Sequence, residues 1–306
     1  MPSSPPAPLP RGLWGVLATP FHGPRLEIDA ESLRREVRHY LGVPADGLVV
    51  LGVFGEGASL SSDERRLAVR TVAEQAGATP LVVGLSARST AVAVEQAREA
   101  VEAAGGAAGG DRATSVMVQA NSADPGVVAE HLTAVHEATG AGLVLQDYPE
   151  TSGVRIDAAA VLQVLDRCPF VVAVKSEAPP TSVAIARLTA RTAVPVFGGL
   201  GGVGLLDELA AGAAGAMTGF SHPEGLRAAI DAFAEGGHVA ARRAFEPWLP
   251  LVNHEAQPGI GLAVRKEILR RRGLFDDGAV RPPAPSAPPE ILALTDQHLA
   301  HVPQEA

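Results

Sequence analysis

The stretch GLVLQDYPETSGVRIDAAAVLQVLDRCPFVVAVKSE, residues 142–177, decides the fold. It opens on an apolar run, Gly142 to Tyr148, of strand length and stopped by Pro149. A helical period follows from Asp157 to Asp166, and a second apolar run covers Phe170 to Lys175. Strand, helix and strand in this span form the crossover unit of a parallel sheet. Both strands are apolar on both faces, as parallel strands buried under helices are.

Working outward, the same unit recurs. Toward the N-terminus the strands are Leu13–Thr19, Gly47–Val53, Pro80–Leu85 and Ser115–Gln119. Their helices are Ala30–Leu41, one starting near Ser62, Ser89–Ala104 and Pro125–Ala138. Ser62 is expected to cap its helix, with Asp63 and Glu64 favouring the positive end of the dipole. Toward the C-terminus come a helix at Thr181–Ala190, strand Val194–Gly198, helix Gly204–Ala211, strand Gly215–Phe220 and helix Glu224–Ala234. Eight units in a chain of 306 residues argue for a closed (β/α)8 TIM barrel over an open doubly wound sheet. The expected organisation is a flexible Pro-rich N-terminus over 1–11, the barrel over 12–236 and a C-terminal helical extension over 237–306. Gly261–Arg272 and Pro289–Leu299 are the clearest helices of that extension, joined through the Pro-rich Arg281–Pro289.

Hydrophobic residues make up 46% of the chain and charged residues 19%, which excludes disorder for most of it. The net charge of -9 and the lack of a basic stripe with interleaved aromatics point away from nucleic acid. The run Arg270-Arg271-Arg272 reads as a solvated helix face. The single cysteine, Cys168, allows no intrachain disulfide and reads as a core filler. The N-terminal residues lack the plan of a signal peptide, and no apolar run has the length of a membrane span. The expectation is a soluble, cytoplasmic protein with no membrane partner.

Active sites of such barrels lie at the C-terminal ends of the strands. Lys175 ends strand six there. A lysine at that place is costly to bury unless paired or neutral, and desolvation favours the free amine that attacks carbonyls. A structural lysine paired with Glu177 at the rim is the competing reading. Tyr148 ends the neighbouring strand five and shares a face with Gln146, while Asp147 points the other way. A phenol there either shuttles protons or only packs. After strand two, the turn Gly52-Val53-Phe54-Gly55-Glu56-Gly57 can aim backbone amides at a carboxylate. After strand seven, Gly199 to Gly204 spells G-x-G-x-x-G, which raises a nicotinamide dinucleotide. Its place in the seventh unit and the short helix after it favour a carboxylate or hydroxyl-bearing substrate at Gly199, Leu200 and Gly201. Among the scattered histidines only His22 and His222 follow strands, and no metal-ligand spacing appears, so neither a metal nor an organic cofactor is expected.

Together these residues resemble the dihydrodipicolinate synthase / N-acetylneuraminate lyase family. The resemblance rests on Ala18-Thr19-Pro20-Phe21, Gly52-Val53-Phe54-Gly55-Glu56, the strand-five end before Pro149, Val174-Lys175 and the strand-seven glycine turn, in the family's order over nearly the whole chain. It implies a class I lyase, an aldolase or a dehydratase, in which Lys175 forms an imine with pyruvate or another small 2-oxo acid. The amides of Val53 and Phe54 would hold the carboxylate, and the protonated imine would act as an electron sink. It also implies a homo-oligomer, a dimer or a tetramer.

The departures are as informative. Synthases of the family carry two threonines where Val53 and Phe54 stand. Their strand-five tyrosine falls at Gln146, two residues before Tyr148, and the tyrosine after strand four is replaced near Asn121 or Ser122. The Thr-Tyr-Tyr relay is missing, so an ordinary dihydrodipicolinate synthase is not expected. Glu177 looks like a local specialisation for acid–base chemistry or for holding an amine or hydroxyl. Two other readings stand beside the lyase: a non-catalytic ligand-binding or regulatory protein on the same barrel, and a nicotinamide-dependent oxidoreductase.

Overall fold

The computed structural model describes residues 6–105 and 112–303. Eight parallel strands form the barrel: β1 Gly12–Val16, β2 Gly47–Val50, β3 Leu81–Gly84, β4 Thr114–Gln119, β5 Gly142–Asp147, β6 Val171–Ser176, β7 Val196–Phe197 and β8 Gly215–Thr218. The helices after them are α1 Ala30–Gly42, α2 Ser62–Ala76, α3 Thr90–Ala103, α4 Pro125–Thr139, α5 Ala158–Arg167, α6 Thr181–Thr189, α7 Leu205–Ala210 and α8 Pro223–Phe245. Each strand pairs with the next, and β8 pairs with β1. The ring closes between β7 and β8 through a bridge from Gly198 to Ala216. The (β/α)8 barrel expected from the repeat is the fold. β7 is shorter than expected because Pro195 has no N–H to give to a ladder.

Local chemistry sets the helix starts. Asp29 accepts from the amides of Glu31 and Ser32 at α1. Ser61, one residue before the expected cap, makes a reciprocal capping box with Glu64 at α2. Asp124 and Asp157 cap α4 and α5. Two apolar layers result. Leu143, Leu145 and Val174 pack outward against the helices. Val16, Val49, Val82, Met117, Val144, Ala173 and Phe197 fill the interior.

The N-terminal segment, expected to be flexible, lies against the barrel floor where it is described. Leu9 is buried, its N–H donates to the Val172 carbonyl at 3.0 Å, and Trp14 donates to the Pro10 carbonyl at 2.9 Å. Met1 to Pro5 lie outside the described residues, as do 304–306 at the far end.

A helix break at Gly237 (φ 66°, ψ −161°) marks the start of the extension. Its helices are α9 Leu249–Glu255, α10 Gly261–Arg271 and α11 Pro289–Leu299. Helix α9 was hidden in the sequence by Pro247 and Pro250, which a first turn tolerates. Trp248, Val252, Val264 and Ile268 form one core with Leu205, Phe220 and Leu226, so the extension is packed onto the last barrel unit. Of the run at the end of α10 only Arg270 is solvent-exposed. Arg271 is paired with Glu267 and donates to the Leu292 carbonyl, and Arg272 pairs with Glu224 at 2.8 Å. These arginines tie α10 to α11 and α8. Among the described residues, no helix is long and apolar enough to cross a membrane.

Candidate active site

A cavity of about 390 Å³ opens at the C-terminal ends of β2 to β5. Gly52, Val53, Met117, Gln119 and Gln146 line it from the barrel, and Leu262 and Pro283 line it from the extension.

Whether Lys175 reaches this end of the interior is set by one irregularity. β5 and β6 pair Leu143 with Val171 and then Val144 with Ala173, which leaves Val172 as an extra residue. Beyond this bulge Gln146 pairs with Lys175, and Asp147 with Ser176. Side chains alternate along a strand, and a one-residue slip exchanges the faces. Val144 is interior, so Gln146 is too, and the bulge brings Ala173 and Lys175 to that same side. Without it Lys175 would stand beside Asp147 on the outer face.

Lys175 and Glu177 are both buried, and Lys175 Nζ lies 3.1 Å from Glu177 Oε2. Two further donors hold that carboxylate. Gln146 Nε2 donates to Oε2 at 2.7 Å, and the Leu200 amide donates to Oε1 at 3.2 Å. One carboxylate therefore binds the lysine, the strand-five amide and the strand-seven loop together. The side chain of Lys175 is 7% exposed and does not itself line the cavity; Gln146, which does, is joined to it through Glu177.

The glycine-rich loop has a local explanation. A Cβ on Gly199 would stand 2.1 Å from Glu177 Oε1, and one on Gly198 would stand 1.8 Å from Glu208 Oε2. These glycines make room for two buried carboxylates. Burial, assisted by the charge of Glu177, raises Glu208 to about 7, although it accepts from Thr181 Oγ1 at 2.7 Å. The Gly201 amide is taken by Thr218 Oγ1 at 2.8 Å. A pyrophosphate here would meet carboxylates and amides already in use, which disfavours a dinucleotide.

On the opposite wall, Val53–Gly55 form one 3-10 turn. The amides of Val53 and Phe54 open that turn and so have no acceptor within it. Arg265 lies over the Phe54 ring, 3.8 Å from its centroid. Tyr148 falls beyond the last residue of β5 and leads into the short helix Pro149–Ser152. It is half-buried and is not among the residues lining the cavity. Burial and then the charge of Glu177 push its phenol up to about 12, so it holds its proton at neutral pH. Asp147 points outward, as the alternation requires. Burial and Glu177 raise it to about 6.

His22 is exposed on a small hairpin, and His222 is buried against Ser221 Oγ at 2.9 Å. Neither lines the cavity. Cys168 is buried, as a filler is, and burial pushes its thiol up. Sequence reasoning missed Gln119, Thr151 and Arg88, which line the cavity. The period-two pattern of β4 carried a signal for Gln119. None existed for Leu262 and Pro283, which arrive from more than 100 residues away.

Residues 9–299 match the model of the dihydrodipicolinate synthetase family. The chain belongs to that family. An L-2-keto-3-deoxyarabonate dehydratase of Azospirillum brasilense is 30% identical over 295 residues, covering 92% of this chain and 91% of the relative. A 4-hydroxy-tetrahydrodipicolinate synthase of Kineococcus radiotolerans is 32% identical, covering 91% and 89%. The crystal structure of dihydrodipicolinate synthase from Rhodopseudomonas palustris superposes with a TM-score of 0.88 at 28% identity, covering 98% of this chain and 100% of that one. The protein is an enzyme, a Schiff-base lyase for small 2-oxo acids.

Proposed function

We propose that this enzyme is a dehydratase for a 2-oxo acid bearing a hydroxyl two carbons from its carbonyl, in the manner of a 3-deoxy-2-oxo sugar acid. The observation that carries the reading is the buried pair of Lys175 Nζ and Glu177 Oε2, 3.1 Å apart behind a cavity of about 390 Å³. The similarity to a keto-deoxy sugar acid dehydratase supports it.

Glu177 takes a proton from the Lys175 ammonium, the amine adds to C2 of the substrate, and Glu177 returns that proton to the carbinolamine hydroxyl, which leaves as water. The substrate carboxylate rests on the amides of Val53 and Phe54, where aligned N–H groups stabilise an anion. The protonated imine acidifies C3. Glu177 removes the C3 proton, and the electron pair enters the enamine. Expulsion of the C4 hydroxyl, protonated by Glu177 as it leaves, releases water. Hydrolysis of the remaining imine returns Lys175. An amide at Gln146 orients Glu177 but cannot itself relay a proton, so the carboxylate replaces the missing tyrosines. The Tyr148 phenol serves as a hydrogen-bond donor only. Leu200 acts through its amide on Glu177, with Gly199 giving it room.

The test is reduction with borohydride in the presence of pyruvate or a 3-deoxy-2-oxo sugar acid, followed by peptide mass analysis. An adduct on Lys175, lost in Lys175→Ala, is expected. Water loss without release of an aldehyde identifies the dehydratase, whereas pyruvate plus an aldehyde identifies an aldolase. No adduct under conditions that label a known aldolase refutes the Schiff base. The same reading has the enzyme acting in the cytoplasm as a homodimer or homotetramer. Family membership supports this, and light scattering tests the assembly.

A further inference from the structure

The carboxylate-binding turn is held from outside the barrel. Glu56, which ends that turn, is buried in a left-handed conformation with φ 52°. Both its carboxylate oxygens are engaged by the extension. Lys266 Nζ of α10 lies 2.8 Å from Oε2, and the Arg281 amide donates to Oε1 at 2.8 Å. The Lys266 side chain is fully buried and lies over the Phe21 ring, 4.2 Å from the centroid. One turn of α10 away, Leu262 lines the cavity, and Arg265 covers Phe54.

Turn and extension thus meet through a buried ion pair, the Arg281 amide and a stacked guanidinium. A non-glycine residue at positive φ persists only where its surroundings hold it. The Glu56 backbone is held within the turn, its amide donating to the Val53 carbonyl at 3.1 Å and its carbonyl accepting from the Ser59 amide at 2.8 Å, while its carboxylate is held by Lys266 and the Arg281 amide. The barrel itself reaches the turn through Thr19 Oγ1, which donates to the Gly55 carbonyl at 2.6 Å. That bond holds the end of the turn, the Gly55 amide closes it on the Gly52 carbonyl at 2.9 Å, and Glu56 joins it to the extension.

We infer that Lys266 is a positioning residue: through Glu56 it sets the direction of the Val53 and Phe54 amides, and so makes the C-terminal extension part of substrate carboxylate recognition. The inference rests on the assignment of that turn to the substrate carboxylate. Lys266 touches no substrate. Its loss therefore affects the carboxylate selectively and leaves the carbonyl chemistry at Lys175 in place.

The test compares pyruvate with methyl pyruvate, the same ketone without the anionic group. Wild type, Lys266→Met and the double variant Glu56→Gln/Lys266→Met are each measured two ways, by ligand-observed NMR affinity and by borohydride trapping. The double variant leaves no lone buried charge and guards against misfolding of the single one, with circular dichroism as the control. In the variants, pyruvate affinity is expected to fall at least tenfold while binding and trapping of methyl pyruvate stay unchanged. Equal losses for both ketones would mean a merely structural pair and overturn the inference, as would an unchanged pyruvate affinity. So would a wild type that does not prefer pyruvate to its ester. Carboxylate-selective binding lost in the variants, but without any trapped adduct in wild type, would uphold this inference and reject the Schiff base instead.

Discussion

Replacing Glu177 by Gln tests the centre of the mechanism, because the amide keeps the shape and removes the charge. At an effective dielectric of about 20, unit charges 3.1 Å apart attract by roughly 5 kcal/mol. Glu177→Gln removes that attraction and leaves the buried Lys175 side chain without its anionic partner. Two consequences follow in opposite directions. The amine remains in place, so borohydride trapping with pyruvate should persist. The proton carrier is gone, so turnover of the natural substrate should fall by about 10²- to 10⁴-fold. Stability supplies an internal check. Breaking a buried ion pair by removing one partner costs on the order of 3–5 kcal/mol. The variant should therefore melt below the wild type. Steady-state kinetics, trapping and scanning calorimetry on one preparation suffice. Turnover within a few-fold of wild type would refute the role of Glu177, and loss of trapping would show that it serves only to orient the lysine.

Gly199→Ala places a methyl 2.1 Å from Glu177 Oε1, so the carboxylate must leave the Leu200 amide and Lys175. Turnover is expected to drop by ~10²-fold, the effect typical of small misplacements, with the fold retained by circular dichroism. Glu36 accepts from the Ala18 amide at 3.1 Å, and burial raises its carboxyl to about 8 from an ordinary 4.5. It folds protonated, so its contribution to stability is complete below about 4.5 and is lost as pH rises through about 8. Glu36→Gln keeps the acceptor and should flatten the pH dependence of the melting temperature over that window. A profile parallel to wild type would count against the protonated form.

Much of the fold was legible because burial under helices makes every barrel strand an apolar run and every helix an amphipathic one. The lysine was legible for the same reason, as a charge closing the run Val171–Val174 where nothing else is charged. That run carried no sign of which face Lys175 would take, since every residue in it is apolar. The bulge at Val172 decided that, and bulges arise from fitting neighbouring strands around a closed ring. The glycine turn after strand seven was legible as room for something. Only packing revealed that the occupants are Glu177 and Glu208.

The extension shows the same division. Its helices could be read from their period, but Lys266 sits between Arg265 and Glu267, and locally that reads as a wet surface. Its partner Glu56 lies 210 residues away in the chain. Sequence alone determined the repeat, the barrel, the amine and the turn, because each is written in the pattern of near neighbours. The inward face of Lys175, its hold by Glu177 and the burial of Lys266 on Glu56 depended on which distant surfaces meet, and a charge becomes buried or solvated only when they do.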